Sequence, residues 1–201
     1  MPGTHAYLEE GKNSVFAVAL EWPGWARRSN SPERAIEELT NYQKRYEKIL
    51  GRALPSVKIT IIGSVKGNAT TDFGAPGALG PWDDKRFTKN ERLRQVEILE
   101  RCWHYFDQVV QGAPRRLRKG PRGGGRDRDE IIDHVRETER VYAPKIGIRI
   151  PPRTEWPEQR ALLSERLSGG FPAEAWPQLY ALRRLAWHVV DHAWEIEDKS
   201  S

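Results

Sequence analysis

Apolar residues recur at helical spacing through the second half of the chain. Leu93, Val96, Leu99, Trp103, Phe106 and Val110 predict a first helix that ends at Gly112-Ala113-Pro114. Three more helices are predicted, at about 127–143, 154–167 (stopped by Gly169-Gly170) and 173–198. Four helices joined by turns predict an all-α antiparallel four-helix bundle over residues 86–201.

The N-terminal part has a different pattern. Residues 14–21 and 57–62 have the short, partly alternating apolar pattern of strands. Between them, Ser31-Pro32 predicts a helix start and Gly51 a helix stop. This order predicts an α+β domain over residues 1–66, with a small antiparallel sheet and one helix.

Residues 67–85 are rich in glycine and proline, which exclude a long helix, yet they include Phe73 and Trp82. They predict an ordered segment that crosses between the two domains. A packed linker is the simplest interpretation. The alternative is a cover over the mouth of the bundle, with Asp72 or Trp82 near a substrate.

Composition narrows the class of protein. The chain has 201 residues, of which 38% are hydrophobic, enough for packed cores. No run approaches the ~20 apolar residues of a membrane span, and no signal-peptide core is apparent, so a cytoplasmic protein is expected. Cys102 is the only cysteine, which excludes an intrachain disulfide and a cysteine-rich metal site. We expect Cys102 to be a buried apolar residue of a helix.

The net charge of +5 is concentrated in residues 115–128, which also hold several glycines. Glycine and like-charge repulsion favour an open, solvated connector there. An arm that binds RNA or phosphate is the alternative. Because aromatic residues do not interleave with the arginines, nucleic acid is not the expected partner.

Two histidines four residues apart, His188 and His192, form the most informative motif. On a helix, residues at this spacing lie on one face, so both imidazoles can point at one cation. A third histidine, His134, lies in the second predicted helix with Ile131, Thr138 and Val141 at helical spacing, which predicts that it faces inward. The alternative is a set of hydrogen-bonded core histidines without a metal. His104 and His5 fit the site less well, the first as packing and the second near a flexible start.

Three imidazoles suit zinc, nickel or iron(II). Glu195 is seven residues after His188 and near the same azimuth, so it is the candidate catalytic residue, either orienting a ligand or acting as a general base. A solvent-facing charge is the alternative for Glu195. Asp133 and Asp191 adjoin ligands in sequence but point elsewhere on a regular helix.

One histidine on an early helix and a His-x-x-x-His pair on the last, followed by Trp-Glu-Ile-Glu-Asp, resembles the DinB-like superfamily over residues 86–199. That superfamily includes metal-dependent thiol transferases and relatives of maleylpyruvate isomerase. The resemblance implies a metal triad of His134, His188 and His192, with coordination positions left open for water or substrate.

Residues 16–25, with Pro23-Gly24 and the Ser-Pro-Glu-Arg helix start, are similar to HicB-like antitoxin domains. Trp22 and Trp25 replace the residues usual around that turn, so this resemblance concerns fold more than toxin binding.

Two functions remain open. One is a metal-dependent hydrolase or thiol transferase that acts on a small molecule. Whether the chain forms a homodimer is left open by the sequence. The other is a non-catalytic module with a structural metal or none, whose HicB-like part binds a partner.

Overall fold

The computed structural model describes residues 4–54, 58–120, 124–169 and 176–200. A four-stranded sheet comes first, with the order β3-β2-β1-β4. Strands β1 and β2 are antiparallel, as are β2 and β3, whereas β4 runs parallel to β1. The strands are β1 (Thr4–Glu10), β2 (Val15–Ala19), β3 (Ala26–Ser29) and β4 (Ile59–Lys66).

Strands β2 and β4 correspond to the two predicted from sequence, and β1 and β3 were missed. The sheet is mixed rather than antiparallel, because β4 returns to pair with β1 after a helical crossover. His5 lies within β1, so the predicted flexible start is wrong at that residue.

Both faces of the sheet are covered. Ala17 and Ala19 of β2 belong to the main apolar core with the helices, whereas Phe16 and Val18 contribute to a second cluster on the opposite face. Successive side chains of a strand alternate between faces, so β2 is buried along its full length. Burial on both faces explains why its apolar run is almost continuous.

The predicted helix between the strands is present as two pieces, α1 (Pro32–Asn41) and α2 (Gln43–Leu50). Ser31 caps α1 by accepting a hydrogen bond from Arg34 N, and Gly51 ends α2 in the left-handed conformation with a φ of 65°. The division falls at Tyr42, whose ψ of −1° departs from regular helix geometry.

The crossing segment is ordered. It contains the short helix α3 (Ala69–Phe73), capped by Asn68, and a 3₁₀ turn at Pro81–Asp84. Buried Glu9 of β1 accepts hydrogen bonds from Thr71 Oγ1 (2.5 Å) and Gly77 N (2.8 Å). These bonds anchor the segment on the sheet.

The four long helices are α4 (Lys89–Gly112), α5 (Arg128–Tyr142), α6 (Trp156–Ser168) and α7 (Gln178–Ser200). Helix α7 packs against α4 and α5, and α4 also packs against α6. The predicted bounds of α4, α5 and α6 agree within a few residues. The predicted start of the last helix, at 173, lies outside the described residues.

The basic segment is bound to its surroundings where the structure describes it. Arg118 Nη2 donates to Asp198 O (2.9 Å), and Lys119 Nζ lies 2.8 Å from Asp127 Oδ1. Arg115 and Arg128 both pair with Asp129. Most described residues of this segment are exposed, as expected of a solvated connector, but the segment is tied down rather than open, because nearby carboxylates and carbonyls pair with its cations.

Apolar residues of the two predicted domains contact one another in a single cluster that includes Ala17, Leu39, Leu99 and Val189. The division into domains at 66 and 86 stays a prediction. In the described ranges, every helix is too short or too polar to cross a lipid bilayer.

Candidate metal site

Helices α5 and α7 lie side by side and carry the three histidines. At the start of α5, Asp127 N donates to Glu130 Oε2 (2.7 Å), which satisfies one of the free amides of the first turn. Ile131 and Val135 are fully buried and fix the rotation of α5 about its axis. With those two side chains in the core, His134 is turned toward α7.

The predicted inward set on α5 is wrong in part. Val141 is 54% exposed, and the buried positions are Ile131, Val135 and Glu139 at intervals of four residues. His134 therefore lies at the edge of the buried face and is partly buried. An edge position leaves the ring of His134 partly accessible to solvent.

The three imidazoles meet across the interface of α5 and α7. His134 Nε2 and His188 Nε2 are 3.2 Å apart, and the ring centroids of His188 and His192 are 4.7 Å apart. One ring nitrogen from each histidine lies within 4.8 Å of the others. Within the described part of the chain, no fourth histidine, cysteine or carboxylate joins this group. The sequence prediction that these residues come together is confirmed.

Burial and neighbouring charges keep the rings of His134 and His188 neutral. Burial is the largest cause lowering the pKa of His134 to about 4, assisted by the charge of His192. Burial also holds the pKa of His188 well below its ordinary value, and His192 and His134 add to the effect. A neutral imidazole has one nitrogen with a free lone pair, and that form is the one that binds a metal.

Glu195 contacts His192. His192 Nδ1 lies 2.8 Å from Glu195 Oε2, and Lys199 Nζ lies 2.5 Å from Glu195 Oε1. The hydrogen bond from His192 is the largest cause lowering the pKa of Glu195 to about 2. An ionised Glu195 accepts a hydrogen bond from Nδ1–H of His192, which leaves Nε2 of that ring as the lone-pair nitrogen.

The carboxylates given less weight from sequence lie outside the group. Asp191 Oδ1 is 3.4 Å from Arg27 Nη1, and Asp133 is exposed. Asp72 accepts a hydrogen bond from Asn13 N (2.9 Å), and Trp82 packs on Tyr7 with ring centroids 4.4 Å apart. Asp72 therefore contacts the turn between β1 and β2, and Trp82 contacts β1 of the sheet.

The remaining candidates also have other partners. His5 Nδ1 lies 2.6 Å from Glu21 Oε1, and His104 pairs with Gln108 on the exposed side of α4. Cys102 is fully buried, and burial raises the pKa of its thiol, as expected for an apolar residue of the core.

A cleft of about 350 Å³ lies beside α7, of a size that admits a small molecule. Trp187 and Asp191, which line it, immediately precede the two histidines of α7 in sequence and project from a different side of the helix, so the cleft is lined by none of the three histidines. Sequence reasoning missed this cleft because its other wall comes from the sheet and the crossing segment. That wall is lined by Phe16, Ala26, Arg27, Arg28, Phe73 and Gly74.

No known protein family model, curated protein or solved structure matches this chain. The geometry of the three histidines therefore carries the functional argument.

Proposed function

We propose that His134, His188 and His192 bind one divalent transition metal ion, and that the protein is a metal-dependent hydrolase or thiol transferase acting on a small molecule. The observation that carries the proposal is the convergence of the three rings, with His134 Nε2 and His188 Nε2 3.2 Å apart. Two lone pairs aimed at each other repel. A proton or a cation between them removes the repulsion, and only a cation also engages His192.

The donor set fits zinc, nickel or iron(II). All three favour imidazole nitrogen, and the low pKa values of His134 and His188 keep those rings unprotonated at neutral pH. Bound there, the ion would supply Lewis acidity toward a water, a thiol or a carbonyl group.

The chain supplies three metal ligands and a carboxylate that orients one of them. His188 and His192 are ligands from one helix, and His134 is the ligand from the facing helix. Glu195 orients His192, and because its own pKa is low it serves poorly as a general base at neutral pH.

The number of ligands favours an enzyme over a structural site. Structural zinc sites are closed by four protein ligands, whereas catalytic sites keep a position for water or substrate. The group in the described residues has three members. We further propose that α4 to α7 form a DinB-like antiparallel four-helix bundle and that the preceding sheet and helices form a HicB-like domain.

Metal analysis tests the proposal. Protein purified without chelator and without a nickel column should contain about one equivalent of transition metal, and His188→Ala should contain almost none. His104→Ala, which removes an exposed histidine of α4, is the matched control and should keep the metal. Ester hydrolysis and transfer of a small thiol to an electrophile should then be assayed on metal-loaded protein.

One of the two activities should require the metal and be lost in His188→Ala. Wild-type protein that contains no metal and fails to bind added zinc or nickel would contradict the proposal. Metal-loaded protein inactive in both assays would leave a structural metal as the better explanation.

A further inference from the structure

The cleft beside α7 has an aromatic floor and an aromatic rim. Phe16 of β2 and Trp187 of α7 line the floor, both buried, with ring centroids 5.9 Å apart in an edge-to-face arrangement. Phe73 also lines the cleft, from the end of α3, and it is 90% exposed. Helix α3 is capped by Asn68 at its start and by Gly74 at its end, which fixes the backbone that carries Phe73. The cleft therefore presents apolar surface that a ligand can cover.

Arg28 of β3 adds a positive charge on the same face of the sheet. It is the cross-strand partner of Phe16 in the antiparallel pair of β2 and β3, so the two side chains point the same way. Its guanidinium packs against Gly74, where a Cβ would clash with Nη1. Arg28 is exposed, and within the described ranges it has neither a hydrogen bond nor an ion pair. A guanidinium with free N–H donors thus lines the cleft next to the residue that follows Phe73.

The other two charged residues of the lining face one another. Arg27 Nη1 lies 3.4 Å from Asp191 Oδ1, and the guanidinium carbon of Arg27 lies 3.7 Å from the ring centroid of Tyr42. Arg27 is therefore engaged, whereas Arg28 is available. The lining keeps one net positive charge, which suits a ligand with one negative charge. A phosphate with two charges fits less well, because Asp191 repels the additional charge.

We propose that this cleft is a second ligand site, separate from the three histidines, and that it binds an aromatic carboxylate. Arg28 binds the carboxylate through paired N–H donors, and the ring of the ligand contacts Phe73 and the floor of the cleft. Because none of the three histidines lines the cleft, binding there requires no metal. The inference goes beyond the proposed function and does not depend on it.

Three small probes test the two halves of this site. Phenylacetate has the ring and the charge, phenylacetamide keeps only the ring, and acetate keeps only the charge. Ligand-observed NMR titration measures their dissociation constants into the millimolar range. Wild-type protein should bind phenylacetate about tenfold more tightly than either partial probe, since phenylacetate alone makes both sets of contacts.

Variants at exposed positions assign the contacts. Arg28→Gln should reduce the affinity for phenylacetate to that for phenylacetamide, whereas Arg34→Gln, which removes an exposed arginine of α1 outside the cleft, should not. Phe73→Ser should weaken both probes that carry a ring. Leu79→Ser removes another exposed apolar side chain of the crossing segment, outside the cleft, and should weaken neither.

Three results would overturn the proposal. They are a lack of phenylacetate binding, equal affinities for phenylacetate and phenylacetamide in wild-type protein, and a preference for phenylacetate that is unchanged in Arg28→Gln. Phenylacetate binding that is lost in His134→Ala and kept in Arg28→Gln would place the carboxylate at the histidines instead. Metal content, measured separately, decides the proposed function whichever way these titrations fall.

Discussion

Helix α5 carries two polar residues, Glu139 and His134, that face different helices and have different kinds of partner. Glu139 is 2% exposed and faces α6, where its Oε2 accepts from Trp156 Nε1 (2.6 Å) and Gln159 Nε2 (3.2 Å). Arg160 Nε lies 3.5 Å from its other oxygen. His134 faces α7, where it meets two further imidazoles.

The Glu139 cluster joins an acceptor to donors: Oε2 accepts two hydrogen bonds, and Oε1, which has no hydrogen bond, faces the opposite charge of Arg160. The three histidines are alike, and in the proposed metal-bound state each offers a lone pair to a common cation. Burial of complementary groups fixes a fold, whereas burial of like groups costs stability unless a ligand joins them. On our proposal, this contrast separates a structural cluster from a functional one on the same helix.

The largest expected effect is on stability. Glu139→Ala should lower the free energy of unfolding by about 3–5 kcal/mol, because it leaves the Trp156 indole N–H without its acceptor and removes the buried carboxylate that faces Arg160. Urea denaturation of metal-free protein measures this. Metal affinity of the folded variant should equal that of wild type. A large loss of affinity would show that the Glu139 cluster and the three histidines are energetically coupled.

His134→Ala should show the reverse pattern. Metal affinity should fall by more than about 100-fold, or about 2.7 kcal/mol, because a direct ligand is lost. Unfolding of the metal-free variant should change by less than about 1 kcal/mol, or 2–4 °C in Tm, since the apolar face of α5 remains. Calorimetric titration and thermal melting give the two quantities. A metal-free variant that unfolds outright would make His134 a structural residue of the core.

A smaller effect is expected at Glu195. Glu195→Gln keeps an acceptor for His192 Nδ1 but removes the charge that makes the ring a better ligand, so metal affinity should fall by about 10–100-fold. Glu137→Gln neutralises an exposed glutamate of α5 that pairs with Arg140 and is the control. Equal affinities for wild type and Glu195→Gln would show that Glu195 does not orient a ligand.

The smallest effect concerns pH. An unfolded histidine has a pKa near 6.5, and burial lowers that of His134 to about 4. Between these values the unfolded chain binds more protons, so the contribution of His134 to stability is full above pH 6.5 and is lost as the pH falls toward 4. The raised pKa of Glu139 acts in the opposite direction.

The difference between wild type and His134→Ala isolates the histidine. Chemical denaturation of the metal-free proteins across this window should show a steeper loss of stability in wild type. Parallel profiles for the two proteins would contradict the assignment of a neutral, buried His134.

Several elements could be predicted from local patterns. Helix α4 has regularly spaced apolar residues and a Thr88 cap, and β2 has a continuous apolar run, so both are evident in the sequence. Strand β3, Ala26–Ser29, contains two arginines and only one apolar residue, and its strand conformation comes from pairing with β2. Strand β1 ends in two glutamates, one of them fully buried because the crossing segment supplies its donors.

The histidine group was predictable because two members share one helix face and few histidines compete for the third place. The buried arginine one turn before His188 was not. Arg184 is held in the interior by a hydrogen bond to Pro76 O, far away in sequence. Such contacts depend on how distant segments pack.

Anomalous diffraction from a crystal grown with zinc tests the central claim most directly. We expect one peak between α5 and α7, within about 2.0–2.1 Å of a nitrogen from each of His134, His188 and His192, with a remaining position filled by solvent or a small ligand. No peak at the three histidines in zinc-saturated crystals, or a peak closed by a fourth protein side chain, would contradict an open catalytic metal site.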